Sequence, residues 1–237
     1  HDFLINNSVD RLTNNWEMIE KAINFVIENQ MEDGSIRWAA KSLEAPKDDS
    51  LLTGCCSIYK SLICAINCSS QLNRENPNWT KSLKKLEDAI KNKPESFDKT
   101  WESKKRFSMD WYYPVLCGAI VGKKAEERIN SQWNKYVLNE KGCLCVLDQP
   151  WVTIAETAEL AIALIKIQKK DKATELLSWI NDYIDSDGAY WMGRQVTEKV
   201  FWPMEKPGWT SAAVILAYDA LHNFSKGSKI FLDDHLI

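Results

Sequence analysis

The chain has 237 residues, a length that fits one large domain or two small ones. Hydrophobic residues make up 45% and charged residues 27%, which excludes a disordered, collagen-like or coiled-coil chain. The net charge of -3 argues against nucleic acid as the main partner, and the best candidate for a membrane span, residues 210–221, is too short to cross a membrane.

Apolar residues spaced three and four apart predict a series of helices separated by short polar turns. In chain order these helices cover residues 16–29, 51–68, 79–91, 114–121, 125–137, 153–168, 172–184 and 210–224. Pro114 suits the first turn of the fourth helix, and Gly122 suits its end. The sequence shows no strand series, and only residues 143–147 are predicted to form a short extended segment.

Helices that are apolar on nearly every face alternate with charged, amphipathic helices. The apolar ones cover residues 51–68, 114–121, 153–167 and 210–221. A helix that is apolar on every face is buried on every face. The alternation therefore predicts two concentric layers of helical hairpins, with buried helices starting about every 45–60 residues, a period typical of helical repeats.

The seven cysteines are an odd number, and most of them lie in apolar helical stretches. This favours buried free thiols in a reducing compartment, so we expect a cytoplasmic protein. No Cys/His cluster has metal-ligand spacing, so we expect neither a metal nor a cofactor. No signal peptide is visible, and the start at His1 rather than Met suggests processing or trimming.

Two segments share a helix end, a turn glycine and a nearby aromatic residue: Phe25-Val26-x-x-x-Gln30-x-x-x-Gly34 before Trp38, and Gly188-x-Tyr190. A weaker third copy runs from Trp133 to Gly142. The glycine suits a left-handed helix stop. The aromatic residue can pack back over the helix end, as Trp16, Trp79, Trp133 and Trp179 are expected to pack on outer helices.

This pattern resembles the prenyltransferase/squalene-oxidase repeat, which builds the α/α toroid of terpenoid cyclases and protein prenyltransferases. The chain is also similar to bacterial prenyltransferase-like proteins of unsettled function, through residues 52–59, 109–114, 150–157 and 202–210. The resemblance implies an all-α, partial α/α toroid of about four to five hairpins over residues 1–225, followed by a tail over residues 226–237. It also implies that N-terminal hairpins are missing or that self-association closes the ring.

Two motifs of that family are missing from the sequence. Class II cyclases use an Asp-x-Asp-Asp acid motif, whereas Asp48-Asp49 lacks the preceding aspartate. Protein prenyltransferases hold zinc with an Asp, a Cys and a His, whereas the histidines here are His1, His222 and His235. Neither mechanism transfers residue by residue.

The toroid would gather the N-termini of its inner helices at one mouth, where helix ends favour anions and aromatic walls favour an apolar chain, a sugar face or a cation. The candidate catalytic residues there are Asp110, Glu156 and Glu205. The candidate substrate-binding residues are Trp111, Tyr112, Tyr113, Trp151, Glu159, Tyr190, Trp191, Arg194, Trp202 and Trp209.

Several of these residues also have structural interpretations. Thr153-x-x-Glu156 fits a helix capping box. Asp110 can bond backbone at a turn, and Arg194 can be a solvated arginine. Glu159 faces a cavity or pairs with a buried base. The run Asp48-Asp49-Ser50 fits ordinary helix caps.

Three functions remain open from the sequence. The first is a prenyltransferase- or cyclase-like transferase or isomerase acting on an isoprenoid or other lipid-like small molecule. The second is a carbohydrate-active α/α-barrel enzyme that uses carboxylates as acid and base. The third is a non-catalytic scaffold whose own side chains fill the cavity.

Overall fold

A computed structural model describes residues 8–39 and 48–233. Over these residues the chain is mostly helical, with eight α-helices and two small sheets. These residues form two compact units: one contains the described residues up to 104 together with residues 117–120 and 233, and the other contains Lys105–Leu116 and Val121–Leu232. His1, His235 and the last four residues of the expected tail lie outside the described residues.

Three helices build the first unit: α1 (Val9–Glu28), α2 (Leu52–Gln71) and α3 (Pro77–Asn92). The start of α3 is encoded locally, because the Asn76 side chain accepts a hydrogen bond from the Asn78 amide and Pro77 occupies the first helical turn. Trp16 and Trp79 meet at 5.7 Å between ring centroids, inside a cluster with Leu12, Ala65 and Cys68. This confirms the packing role predicted for both tryptophans.

The second unit is built around one buried helix. Its helices are α4 (Ser108–Leu116), α5 (Gly122–Tyr136), α6 (Ile154–Lys166), α7 (Lys170–Trp179) and α8 (Gly208–His222). Helix α6 packs against α4, α7 and α8. Nearly all of its side chains are apolar and buried, as its sequence predicts. The polar faces of α5 and α7 are exposed.

The fourth predicted helix starts earlier than expected. Pro114 lies inside α4 rather than in its first turn, so residues 110–113 are helical. A proline removes the amide that would bond the carbonyl four residues back, here that of Asp110. Arg128 replaces the missing donor: its Nη2 donates to the Asp110 carbonyl at 2.8 Å and its Nε to the Trp111 carbonyl at 2.7 Å.

The last predicted buried helix is also different from expectation. Helix α8 buries Thr210, Val214, Ala217 and Ala220, but Ile215 is 68% exposed and Leu216 is exposed beside it. The prediction that residues 210–221 are buried on every face is therefore wrong. Its sequence is apolar all round, but only one side of α8 packs against other described residues.

Short strands, largely missed by the sequence patterns, complete the second unit. They are β1 (Val137–Leu138), β2 (Gly142–Cys143), β3 (Trp151–Thr153), β4 (Gly193–Gln195) and β5 (Val200–Phe201). Strand β1 pairs with β2, and β4 lies between β3 and β5, all antiparallel. Two or three residues are too few to show an alternating pattern. In the predicted extended segment, Leu144 and Val146 form isolated bridges to Val152 and Phe107.

The recurring turn motif has the same geometry in both copies. Gly34 and Gly188 adopt φ of 98° and 83°, the left-handed region that favours glycine. The preceding aspartate accepts an amide hydrogen bond at 3.0 Å in each copy, Asp33 from Ser35 and Asp187 from Ala189. A bridge closes each turn, Gln30 to Ile36 and Ile184 to Tyr190.

No described helix is long and apolar enough to cross a membrane. The cysteines are free thiols, buried or partly buried. Within residues 8–39 and 48–233, no group of three His, Cys, Asp or Glu side chains is arranged to hold a metal ion.

Candidate active site

The contact between α4 and α6 places a carboxyl against two phenols. Tyr112 Oη donates to Glu159 Oε2 at 2.6 Å, and Tyr113 Oη donates to Glu159 Oε1 at 3.1 Å. Tyr112 is fully buried and Tyr113 partly so. Tyr112 and Tyr113 are successive residues on α4, and each bonds a different oxygen of the same carboxyl. The structure thus brings three of the predicted substrate-binding residues together.

This environment shifts the proton affinity of Glu159. Burial raises its pKa to about 7, the two tyrosine hydrogen bonds oppose that rise, and the neighbouring Glu156 charge adds to it. Burial is also the main reason why the pKa of Tyr112 is raised well above 10, followed by the charge of Glu159. Near neutral pH, Glu159 is therefore an acid that can hold or release a proton, while Tyr112 stays a donor.

Glu156 lies one helical turn before Glu159 and is not engaged in the predicted capping box. Thr153 belongs to β3 and its side chain makes no capping hydrogen bond. Instead the Thr157 hydroxyl bonds the Thr153 carbonyl at 2.6 Å. Glu156 faces the Cys145 thiol, whose pKa is raised by burial and by the Glu156 charge. The thiol therefore stays protonated and is a poor nucleophile.

Asp110 and Trp111 lie on α4 in a more tightly packed environment. The Asp110 side chain is buried. The pKa of the nearby Tyr136 is raised to about 12, mainly by the burial of Tyr136 itself and next by the charge of Asp110. The Trp111 ring stacks on Tyr136 at 5.2 Å, and its Nε1 donates to the Arg128 carbonyl at 2.8 Å. Trp111 is 1% exposed, which makes it part of the core of this unit.

The sheet carries most of the remaining predicted residues. Trp151 on β3 and Trp202 after β5 meet edge to face at 5.1 Å, and Trp151 Nε1 donates to the Trp202 carbonyl at 2.6 Å. Trp191 stacks on Phe201 at 5.1 Å. The guanidinium of Arg194, on β4, lies 5.8 Å from the Phe201 ring centroid.

Three predicted residues lie apart from these contacts. Tyr190 closes the turn motif described above and is partly buried. The Glu205 side chain is exposed, and its carbonyl accepts from the Met192 amide at 2.9 Å. Trp209, at the start of α8, is more than half exposed.

A cavity of about 560 Å³, not predicted from the sequence, lies beside the β3–β4–β5 sheet. Its walls include the predicted Trp151 and Trp202, together with Phe107, Val146 and Val200. Valine and phenylalanine give no functional signal in sequence, and these residues come from separate segments that only the fold brings together. The one available signal was the concentration of aromatic residues in residues 201–209.

Asp49, a buried carboxyl in the first unit, has a different role. Asp49 Oδ1 accepts from the Ser50 amide at 2.7 Å and the Lys99 amide at 2.9 Å, and Oδ2 accepts from the Thr100 amide and hydroxyl. Burial raises its pKa, but these bonds outweigh burial and the net pKa is lowered. The side chain fastens two loop segments to each other rather than capping α2, whose N-cap is Leu51.

The second unit thus presents neighbouring carboxyls, one of which can act as an acid near neutral pH, and a separate aromatic cavity. No protein-family model matches the chain. The chain is 42% identical over 216 residues to a Mycolicibacterium hassiacum protein named MMP endo-(1,4)-3-O-methyl-alpha-D-mannosidase. The match covers 91% of this chain and 59% of the relative, so the chain spans about three fifths of that protein's length.

This similarity overturns the proposed relationship to the prenyltransferase/squalene-oxidase repeat family. A relative at this identity is named as a mannosidase, a carbohydrate-active enzyme, so the expected prenyltransferase- or cyclase-like activity is wrong. The turn motif that suggested the family is present, but it serves local backbone geometry. A glycine turn at a helix end is required by many helical hairpins and carries no reaction with it.

Proposed function

We propose that the chain has glycoside hydrolase activity on α-mannosides that carry 3-O-methyl groups. The observation that carries this proposal is the 42% identity, over 91% of the chain, to a protein named as an endo-acting 3-O-methyl-α-D-mannosidase. The carboxyls of the second unit support it, because most glycoside hydrolases act through a pair of Asp or Glu residues. A lipid-like substrate has no comparable support.

We further propose an α/α-barrel arrangement for the helices of the second unit. Helix α6 supports it, because it is buried on nearly all faces and contacts α4, α7 and α8. The charged helices α5 and α7 are exposed on one face, as outer helices of such a barrel would be.

Within this proposal Glu159 is the general acid. Its pKa of about 7 keeps a substantial fraction protonated near neutral pH, as a proton donor to a leaving group needs. The proton passes to the glycosidic oxygen while the bond between that oxygen and the anomeric carbon breaks, and the bonding electrons stay on the oxygen. Water adds to the anomeric carbon, and its proton passes to a second carboxylate.

Glu156 is our candidate for that second carboxylate. Residues three apart on a helix have Cβ atoms about 5–6 Å apart, which is compatible with the roughly 5–10 Å between the carboxyls of glycosidases. Its charge also acts on the pKa of Glu159. Asp110 and Glu205 remain the other proposed catalytic carboxyls, with Asp110 buried on α4 and Glu205 exposed after β5.

The test is hydrolysis of 1,4-linked 3-O-methyl-α-mannan oligosaccharides, followed by the release of reducing ends. We expect Glu159→Gln to lower kcat by about 10²- to 10⁴-fold, because the leaving oxygen then departs without a proton. The same variant should keep much of its activity on an aryl mannoside, whose leaving group needs no acid. Glu156→Gln should lose activity on both substrates.

Glu175→Gln is the matched control, since this carboxyl is exposed on α7. It should retain wild-type rates. If wild type releases no reducing ends, the proposed function is wrong. If Glu159→Gln loses aryl mannoside activity as completely as Glu156→Gln, Glu159 is not the acid. Asp110→Asn and Glu205→Gln, assayed in parallel, show whether either carboxyl takes the second role instead.

A further inference from the structure

The cavity beside the β3–β4–β5 sheet has fixed and mainly apolar walls. Phe107 and Val146 are joined by a backbone bridge, and the Leu147 amide donates to the Arg106 carbonyl at 3.0 Å. Trp151 and Trp202 line the same cavity. A volume of about 560 Å³ lies within the range of about 300–1,000 Å³ typical of small-molecule sites.

The tryptophan pair adds partly exposed aromatic surface to the lining of this cavity. Trp202 is 56% exposed, and Val200 beside it is exposed too, although both are apolar. The indole N–H of Trp151 is already satisfied by the Trp202 carbonyl at 2.6 Å. Exposed apolar surface of this kind usually marks a binding site. Aromatic rings can bury the C–H face of a sugar, and apolar walls suit a methoxy group, which has no hydrogen to donate.

The charges around the cavity argue against an anionic ligand. Arg106 Nη1 is paired with Asp148 at 2.5 Å, and Glu198 adds a second acidic side chain. A phosphate or carboxylate would therefore meet more negative than positive charge. The same groups, together with Gln149 and Gln195, can bond neutral hydroxyls at the edge of a sugar ring.

We infer that this cavity is the subsite that selects a 3-O-methylated sugar, with Trp202 and Trp151 against the ring and Val146, Val200 and Phe107 around the methyl group. The inference rests on the proposed function, but it assigns specificity to residues other than the carboxyls of α6. Recognition then depends on burying the methyl group, and a hydroxyl at the same position would be left against apolar walls.

The test measures calorimetric affinity for a 3-O-methyl-α-mannan oligosaccharide and for its unmethylated counterpart of equal length. All proteins carry Glu159→Gln so that ligand is not consumed. We expect the parent protein to prefer the methylated ligand, and Trp202→Ala to weaken that binding by about tenfold or more. Val200→Ser should weaken binding of the methylated ligand more than it weakens binding of the unmethylated one.

Trp38→Ala is the matched control. Trp38 is 59% exposed and forms an edge-to-face pair with Trp101 at 5.8 Å, much as Trp202 does with Trp151. It should bind both ligands as the parent protein does. Equal affinity of the parent for both ligands, or a Trp202→Ala variant with unchanged affinity for the methylated ligand, overturns the subsite. If wild type still hydrolyses the oligosaccharide in either case, the proposed function stands and only this inference fails.

Discussion

Asp49 in the first unit and Glu159 in the second are both carboxyls removed from most of the solvent, and the groups that face them are different. Asp49 receives three backbone amides and a hydroxyl, so its pKa is lowered and its charge is part of the fold. Glu159 receives two phenols and has Glu156 as a neighbour, so its pKa rises to about 7. Burial alone therefore does not mark a reactive carboxyl. The number and kind of donors around it decide whether it keeps its charge.

The sharpest test of this comparison is Asp49→Asn. The amide would turn its NH₂ toward two donors that now bond Oδ2, and it would leave them unsatisfied. Two lost hydrogen bonds to a buried charge correspond to about 4 kcal/mol of the free energy of unfolding. Chemical denaturation of wild type and variant measures this loss in the free energy of unfolding. Asp48→Asn is the control: this exposed neighbour pairs with Arg37 at 2.6 Å, and a surface pair is worth about 0–1 kcal/mol. Equal losses in both variants would contradict the structural role of Asp49.

The next effect is the pH dependence of stability at Glu159. A folded-state pKa of about 7 against 4.5 in the unfolded chain means that the folded protein binds more protons between these values. Stability from this group is therefore present below about pH 4.5 and is lost as pH rises through 7. The full difference is about 3 kcal/mol. Urea denaturation of wild type and Glu159→Gln from pH 5 to 8 should show wild type losing stability relative to the variant.

Glu175→Gln should follow the wild-type pH dependence, because this side chain is exposed. A wild-type curve parallel to that of Glu159→Gln would show that Glu159 has an ordinary pKa. The contrast with Asp49 would then disappear.

The smallest effect belongs to the tyrosine hydrogen bonds. The bond from Tyr112 lowers the pKa of Glu159, so Tyr112→Phe should raise it further, by roughly half to one pH unit. The alkaline limb of the profile of kcat/KM against pH should therefore move to higher pH. Tyr113→Phe, which removes the longer bond of 3.1 Å, should move it less. A shift to lower pH in either variant would contradict the assigned hydrogen bonds.

Much of the helical framework could be predicted because helices carry a periodic signal along the chain. The apolar pattern of α6 predicted both its extent and its burial, and the two turn glycines marked turns of the same geometry. The prediction at Pro114 was wrong because Arg128, distant in sequence, supplies donors that let a helix pass through a proline. The short strands were not predicted, because two or three residues are too few to show an alternating apolar pattern.

For the candidate site, helix register placed Glu156 and Glu159 on one helix. The positions of Tyr112, Tyr113, Trp151 and Trp202 near the starts of the expected inner helices made them candidate substrate-binding residues. Only the tertiary structure decided that both tyrosines bond Glu159, that Thr153 does not form the capping box, and that the two tryptophans share a cavity. The reason is physical. Periodicity is set by residues three or four apart, whereas pKa values and cavities depend on groups brought together from distant parts of the chain.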